Sequence, residues 1–86
     1  MKICKGISWS KTDSGLMILN AIDNKCIILN ESGEKVWNIL NDEKTYDQIF
    51  EDIYKDYNAE QIALIEQDVK ELLNILIQYK FIEDTN

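Results

Sequence analysis

The sequence predicts an α+β domain in which a three-stranded antiparallel sheet is followed by three helices. Two observations carry this prediction. Residues 1–31 are rich in strand formers interrupted by turn residues, whereas residues 32–80 repeat apolar side chains at helical spacing without a single Pro. A chain of 86 residues has the size of one small domain, so we expect a single domain over residues 1–86.

Two short polar turns divide the N-terminal part into three strands. Asp13-Ser14-Gly15 separates residues 7–10 from residues 16–19. Asp23-Asn24 then separates that second run from residues 25–29. Two successive hairpins make a meander, and its third strand can lie at an edge of the sheet.

The first helix is expected at residues 33–41, after the third strand. Ser32 is the predicted N-cap, because a Ser hydroxyl can accept a hydrogen bond from a backbone N–H of the first turn. Val36, Trp37 and Leu40 are spaced so that they lie on one side of this helix.

Two capping boxes mark the starts of the other helices. The Thr45 hydroxyl can accept a hydrogen bond from the Gln48 N–H, and the Gln48 side chain can accept one from the Thr45 N–H. This pattern predicts a second helix over residues 46–57. Asn58 and Gln61 repeat this pattern before a third helix over residues 59–79. Its core stripe is Ile62, Ile65, Val69, Leu72, Leu73 and Leu76. The apolar pair Phe81-Ile82 is expected to fold back as a short extended segment.

Charge and hydropathy exclude several classes of partner. The net charge is −7 and the chain contains neither His nor Arg, so the positive field that attracts nucleic acid is missing. Three helices beside a small sheet are also typical of a winged helix-turn-helix, but the third helix carries more acids than bases. No apolar run approaches the roughly 20 residues that span a bilayer. We therefore expect a cytoplasmic protein that binds neither nucleic acid nor membrane.

The residue types that most catalytic and metal sites require are scarce. Without His, the chain lacks the commonest general base and the imidazole ligand of zinc sites, so we predict no enzyme activity, no metal site and no cofactor. Cys4 and Cys26 are interpreted as small apolar fillers, with a disulfide between neighbouring strands as the alternative. The carboxylates of the helices are interpreted as a solvated surface, with docking of a basic partner as the alternative.

One run at the junction of the third strand and the first helix is more specific: Leu29-Asn30-x-Ser32-Gly33-x-x-Val36-Trp37. With this run the chain resembles the PqqD-like family, the small domains called RiPP recognition elements. Other matching pieces, in order, are the Asp13-Ser14-Gly15 turn, the Thr45 capping box, Asp68-Val69 and the closing residues 79–83. The departures are Lys80, where the family commonly has Gly, and Ile28, where a polar residue is frequent.

The resemblance implies a winged helix-turn-helix-like fold and a non-catalytic function. Such domains bind the leader segment of a ribosomally synthesised precursor peptide by adding it as a strand beside the third strand, and they deliver it to modifying enzymes. Carried onto this sequence, the peptide-binding residues are those of the third strand and one stripe of the third helix: Lys25, Cys26, Ile27, Ile28, Leu29, Leu64, Asp68, Glu71, Leu72 and Ile75.

Residue types in these segments fit that function. The edge candidate 26–29 has no charge, Pro or bulge signal to block pairing with another strand, so it is either an aggregation hazard or a docking site for an extended peptide. By alternation Leu29 is expected to face the helices, and Ile27 on the same side is expected to border the groove. Asp68 and Glu71 are expected to pair with a basic residue of the leader.

The partners that the resemblance implies are a precursor peptide leader and a modifying enzyme, which would be a leader peptidase, a cyclase or a radical SAM enzyme. The composition is rich in Lys, Ile and Asn and lacks Arg, which suggests an AT-rich genome. This favours lasso peptide biosynthesis or another peptide pathway of this kind. The alternatives are a peptide chaperone of pyrroloquinoline quinone biosynthesis and a generic winged-helix protein interaction module. We expect a monomer or a weak homodimer.

Overall fold

An antiparallel meander and three helices form the protein, as the sequence predicts. The computed structural model describes residues 1–41 and 43–84. In chain order its elements are β1 (Lys2–Ile3), β2 (Ile7–Thr12), β3 (Gly15–Asn20), β4 (Lys25–Leu29), α1 (Glu31–Leu40), α2 (Tyr46–Asp56), α3 (Ala59–Gln78) and β5 (Ile82–Glu83). The α+β, winged helix-turn-helix-like class with a three-stranded sheet before three helices is confirmed.

The sheet has the order β2-β3-β4, with both pairs antiparallel. In β3 the buried residues Leu16, Ile18 and Asn20 alternate with less buried ones, so one face of the sheet is covered by the helices and the other is not. Leu29 of β4 pairs with Leu16 and is buried on the same inner face. The predicted orientation of Leu29 is confirmed.

The core lies between this inner face and the helices. Its fully buried large side chains are Trp37, Phe81, Ile18, Leu40, Ile49, Leu73, Leu76 and Ile82. Trp37 meets Trp9 of β2 edge to face, with ring centroids 5.3 Å apart and ring planes at 77°. The predicted stripes of α1 and α3, together with Ile49 of α2, supply five of these eight side chains.

The start of α1 differs from the prediction. Asn30 is its N-cap and accepts a hydrogen bond from the Gly33 N–H at 2.9 Å, so Ser32 lies inside the helix and is not the cap. Asn caps a helix at least as well as Ser does, and here it stands two residues earlier in the chain. Both predicted capping boxes, at Thr45 with Gln48 and at Asn58 with Gln61, are confirmed.

A second, two-stranded sheet joins the two ends of the described chain. Lys2 pairs with Glu83 and Ile3 with Ile82, and the N–H of Cys4 donates to the Phe81 carbonyl at 3.0 Å. The predicted extended segment at Phe81-Ile82 is confirmed. Its partner β1 is too short to give a periodic signal, which is why the sequence did not predict it.

Lys80 lies in the turn that follows α3 and adopts a backbone conformation that is unusual for Lys. It adopts a left-handed conformation with φ of 61°, at the position where helices usually place Gly. The Lys80 N–H donates to the Ile77 carbonyl at 3.1 Å, and the Phe81 N–H donates to the Leu76 carbonyl at 2.9 Å. These two bonds form a Schellman motif, which turns the chain so that Phe81 enters the core.

Replacing Lys80 with Gly is therefore expected to stabilise the protein. Gly adopts the left-handed conformation without the cost that a Cβ imposes, so the free energy of unfolding should rise by about 0.5–1 kcal/mol. Urea titration followed by tryptophan fluorescence measures this change. Lys80→Ala is the matched control, because it removes the side-chain charge but keeps the Cβ. An equal rise in both variants would assign the effect to charge and contradict the prediction.

Candidate functional site

The strand β4 lies at an edge of the sheet and has one neighbour, β3, among the described strands. Its register runs from Leu16 opposite Leu29 to Asn20 opposite Lys25, so its other side presents backbone N–H and C=O groups without a strand partner in the described chain. Cys26 and Ile28 are exposed, while Ile27 is partly buried against the core. Residues 26–29 of this edge are uncharged and apolar, so they can accept an extended peptide as an additional strand.

A groove with a volume of about 360 Å³ opens beside the C-terminal end of β4. This volume lies within the range of small-ligand sites and is large enough for a few side chains. Apolar residues from four elements line it: Ile28 and Leu29 of β4, Val36 and Ile39 of α1, Ile53 of α2, and Ile65, Val69 and Leu72 of α3, together with Tyr57. The polar lining residues are Asn30, Ser32, Lys35 and Asp68.

The two charged lining residues differ in their contacts. The Lys35 ammonium lies 5.3 Å from the ring centroid of Tyr57, a cation–π contact that holds it at the α2 end of the groove. Asp68 is exposed, and its side chain has no hydrogen bond or ion pair among the described residues. Its carboxylate is therefore available to a basic group of a ligand.

Four of the predicted site residues meet in this groove, namely Ile28, Leu29, Asp68 and Leu72. Leu64 and Ile75 do not line it, although they are exposed on α3, with 76% and 42% of their surface accessible. Glu71 is also exposed and accepts a hydrogen bond from Gln67 at 3.3 Å.

The N-terminal half of β4 lies beyond the groove. Lys25 places its ammonium 5.9 Å from the ring centroid of Tyr79, a residue at the end of α3. Ile27 packs against the core and does not line the groove, and Cys26 lies on the other face of the strand. These residues can reach a peptide through the backbone edge or through that other face.

Sequence reasoning missed the contribution of the first two helices. Val36 and Ile39 are on α1, Ile53 is on α2, and Lys35 and Tyr57 stand at the α2 end of the groove. The sequence places Val36 on one side of the first helix with Trp37 and Leu40, but the part that Val36 and Ile53 have in a groove depends on how the helices pack. Ile39 follows Val36 by three residues in α1, and this helical spacing is the signal that could have placed Ile39 near the same face.

The two cysteines are free thiols. Cys26 is exposed on β4, so the interpretation of this residue as a core filler is wrong, and the alternative disulfide is not formed. Cys4 is partly buried, and burial together with the nearby Glu83 carboxylate raises the pKa of its thiol.

Residues 1–41 and 43–84 contain neither a metal-binding cluster nor a membrane-spanning helix. No group of three or more His, Cys, Asp or Glu side chains there is placed to hold a metal ion. None of the helices in these residues has both the length and the apolar character needed to cross a membrane.

Comparison with known proteins places this chain in a family. The family model described as coenzyme PQQ synthesis protein D (PqqD) matches residues 15–82, which is more than three quarters of the chain. The chain belongs to the PqqD family. The matched residues run from β3 to the first residue of β5, so they include every residue that lines the groove. A search among curated proteins found no match.

A solved structure shares the fold of this PqqD family member. Its title is "TbiB1 in Complex with the TbiA(beta) Leader Peptide", and its TM-score is 0.80 at 21% sequence identity. The alignment covers 100% of this chain and 99% of the solved chain. At this identity the comparison establishes a common fold for the two chains, from β1 to β5.

Proposed function

We propose that this chain is a RiPP recognition element, a non-catalytic domain that binds the leader segment of a ribosomally synthesised precursor peptide. The leader adds as a strand beside β4, and its side chains enter the groove toward α3. One observation carries the proposal: an apolar groove of about 360 Å³ opens beside the free edge of β4, whose residues 26–29 are uncharged. Membership of the PqqD family supports it, and so does a similar fold in a solved complex with a leader peptide.

The energetics of this mode are sufficient for specific binding. Two or three buried anchors at about 1.5–3 kcal/mol each, with strand hydrogen bonds at about 0.5–1.5 kcal/mol each, give a gross gain of roughly 6–15 kcal/mol. Ordering a disordered leader costs a few kcal/mol of this gain. The middle of the remaining range, about 8 kcal/mol, corresponds to a Kd near micromolar.

Asp68, which lines the groove from α3, favours a leader with a basic residue at this point, and Glu71 is exposed three residues further along the same helix. Asp68 lines the groove and has no partner in the described chain, so a Lys or Arg of the peptide gives it one. Replacing the basic residues of a bound leader with Gln should weaken binding and reduce its salt dependence. Unchanged affinity and unchanged salt dependence would remove this pairing from the proposal.

The bound leader is then presented to a modifying enzyme, for which a leader peptidase, a cyclase and a radical SAM enzyme are the candidates. Lasso peptide biosynthesis is the pathway that the composition favours. The second candidate function is that of a peptide chaperone in pyrroloquinoline quinone biosynthesis, which the description of the matching family favours. The two differ in the precursor peptide and share the binding mode.

Replacing Ile28 with Glu tests the groove and the edge together. Ile28 lines the groove and is 54% exposed, so the variant should fold. Because it places a carboxylate where the groove meets the outer face of β4, close to a strand added at that edge, we expect a loss of leader affinity of about tenfold or more. Calorimetry with a synthetic peptide, covering the leader of a precursor encoded beside the gene, measures this loss.

The matched control is Ile22→Glu. Ile22 is 72% exposed in the turn before β4 and does not line the groove, so the same change there should leave affinity within about twofold. Amide chemical shifts of the wild-type chain during the titration should change in β4 and α3. Shifts confined to other elements, or an equal loss in both variants, would contradict binding at this site.

A further inference from the structure

The outer face of the three-stranded sheet carries no charged residue. By the alternation of the strands and their register, this face consists of Ser8, Ser10 and Thr12 of β2, Gly15, Met17 and Leu19 of β3, and Cys26 and Ile28 of β4. The chain as a whole contains 9 Lys and 16 Asp or Glu among 86 residues. A solvent-facing sheet surface of eight residues without any of them is therefore unusual for this chain.

The apolar part of this face lies next to the free edge. Ile28 is 54% exposed and Leu19 is 37% exposed, while the far strand β2 contributes only hydroxyl side chains. Ile28 also lines the groove, so the apolar outer surface is continuous with the proposed peptide site across the strand β4. No element within residues 1–41 and 43–84 packs on this outer face, since the buried residues of β3 and β4 all point toward the helices.

A peptide strand added at β4 has two sets of side chains. Alternate residues point into the groove, and the others point to the outer face beside Cys26 and Ile28. Directly opposite residues of paired strands have Cβ atoms about 4.5–5.5 Å apart, so these outward side chains contact the apolar outer surface. The outer face then selects the outward side chains of the peptide, as the groove selects the inward ones.

We propose that this outer face is a second recognition surface and that the segment bound at β4 is apolar at consecutive positions. This inference rests on the proposed function and specifies its ligand. The peptide chemistry that fits is a short run of β-branched, aliphatic or aromatic residues on both faces, with basic residues confined to the positions near Asp68. A segment that alternates apolar and charged residues fits the groove but leaves the outer face with an unfavourable partner.

A second copy of the chain fits this face less well. Three strands about 4.8 Å apart and about six residues long give a projected surface of roughly 300 Å². A stable protein–protein interface needs about 800 Å² from each partner. An added peptide strand does not depend on this area alone, because it also gains the backbone hydrogen bonds of β4.

Selection from a phage-displayed library of random 12-residue peptides tests the inference. The library is selected separately on the wild-type chain, on Cys26→Lys and on Ser8→Lys. Residues 8, 19 and 26 form one row across the outer face, so the two variants place the same charge at the β4 edge and on β2, at the opposite edge of the sheet. Cys26 does not line the groove, and its replacement therefore changes the outer face alone.

The wild-type chain should enrich peptides with four or five consecutive apolar residues, and Ser8→Lys should enrich the same pattern. Cys26→Lys should enrich Asp or Glu at one position of the run. A wild-type-selected peptide should bind Cys26→Lys about two- to fivefold more weakly, the range expected for a lost cross-strand pair. Amide shifts in β4 identify the peptides that bind at the edge.

Peptides that shift the β4 amides but carry charged residues at every second position would overturn this inference and leave the proposed function intact. Identical profiles for the two Lys variants would also overturn it. A library that yields no peptide acting on β4 would instead contradict strand addition itself, and the inference would fail with it.

Discussion

Gly15→Ala should lower the free energy of unfolding by about 3 kcal/mol or more. Gly15 has φ of 138°, a conformation that residues with a Cβ rarely adopt. A Cβ built on it would lie 2.3 Å from the carbonyl oxygen of Leu29. That oxygen belongs to the backbone of β4, and the Leu29 side chain is only 5% exposed, so the neighbour cannot move aside.

A loss of this size is a large part of the stability of an 86-residue domain, roughly 4–13 kcal/mol. The melting temperature, followed by circular dichroism, should fall by about 12–24 °C. Because the displaced atom lies at the end of β4 that lines the groove, peptide affinity should fall as well, even at temperatures where the variant remains folded.

Gly6→Ala is the matched control for this prediction. Gly6 also has a positive φ, of 81°, but its added Cβ would meet the side chain of Ile22, which is 72% exposed and can rotate away. Only the backbone strain remains, so the expected loss is about 1 kcal/mol. Equal losses in the two variants would show that the Leu29 carbonyl is not the cause.

Apart from β1, the order and type of the elements were predictable from the sequence because local signals marked them. The polar turns at Asp13-Ser14-Gly15 and Asp23-Asn24 bound the strands, and the capping boxes at Thr45 and Asn58 start α2 and α3 where the structure has them. The cap of α1 was misassigned because Asn30 and Ser32 both offer a suitable side-chain oxygen. A local pattern alone does not choose between two such caps.

The groove was only partly predictable. Ile28, Leu29, Asp68 and Leu72 were assigned to the peptide site through the family resemblance, and helical spacing in α3 supported the assignment of Asp68. The parts that α1 and α2 contribute depend on the distances between helices, which sequence spacing does not determine. The same limit explains Ile27, which was expected to border the groove but packs against the core.

The buried polar residue Asn20 connects the sheet with the end of α3 through hydrogen bonds. It is 2% exposed, and its amide nitrogen donates to the carbonyls of Tyr79 and Lys80 at 3.3 and 3.2 Å. Its oxygen accepts from the N–H groups of Ile22 and Asp23, both at 3.1 Å, which closes the turn before β4. One side chain thus connects the β3–β4 turn with the end of α3.

Asn20→Ala should therefore lower the free energy of unfolding by about 3 kcal/mol, since each buried group left without its partner costs about 1–3 kcal/mol. Asn74→Ala, at an exposed position of α3, is the control and should change stability by less than about 0.5 kcal/mol. Urea unfolding measures both. A loss below about 1 kcal/mol for Asn20→Ala would mean that water replaces these bonds at little cost.

The effect of Asn20 should extend to peptide binding. β4 follows the turn that Asn20 closes, and α3 ends at the carbonyls that it binds, so this residue helps to fix the spacing of the two elements beside the groove. In Asn20→Ala, hydrogen exchange of the Ile22 and Asp23 amides should accelerate before that of the core. Leader affinity should fall several-fold at a temperature where the variant is still folded. Unchanged affinity with accelerated exchange would show that the spacing is held by the apolar core alone.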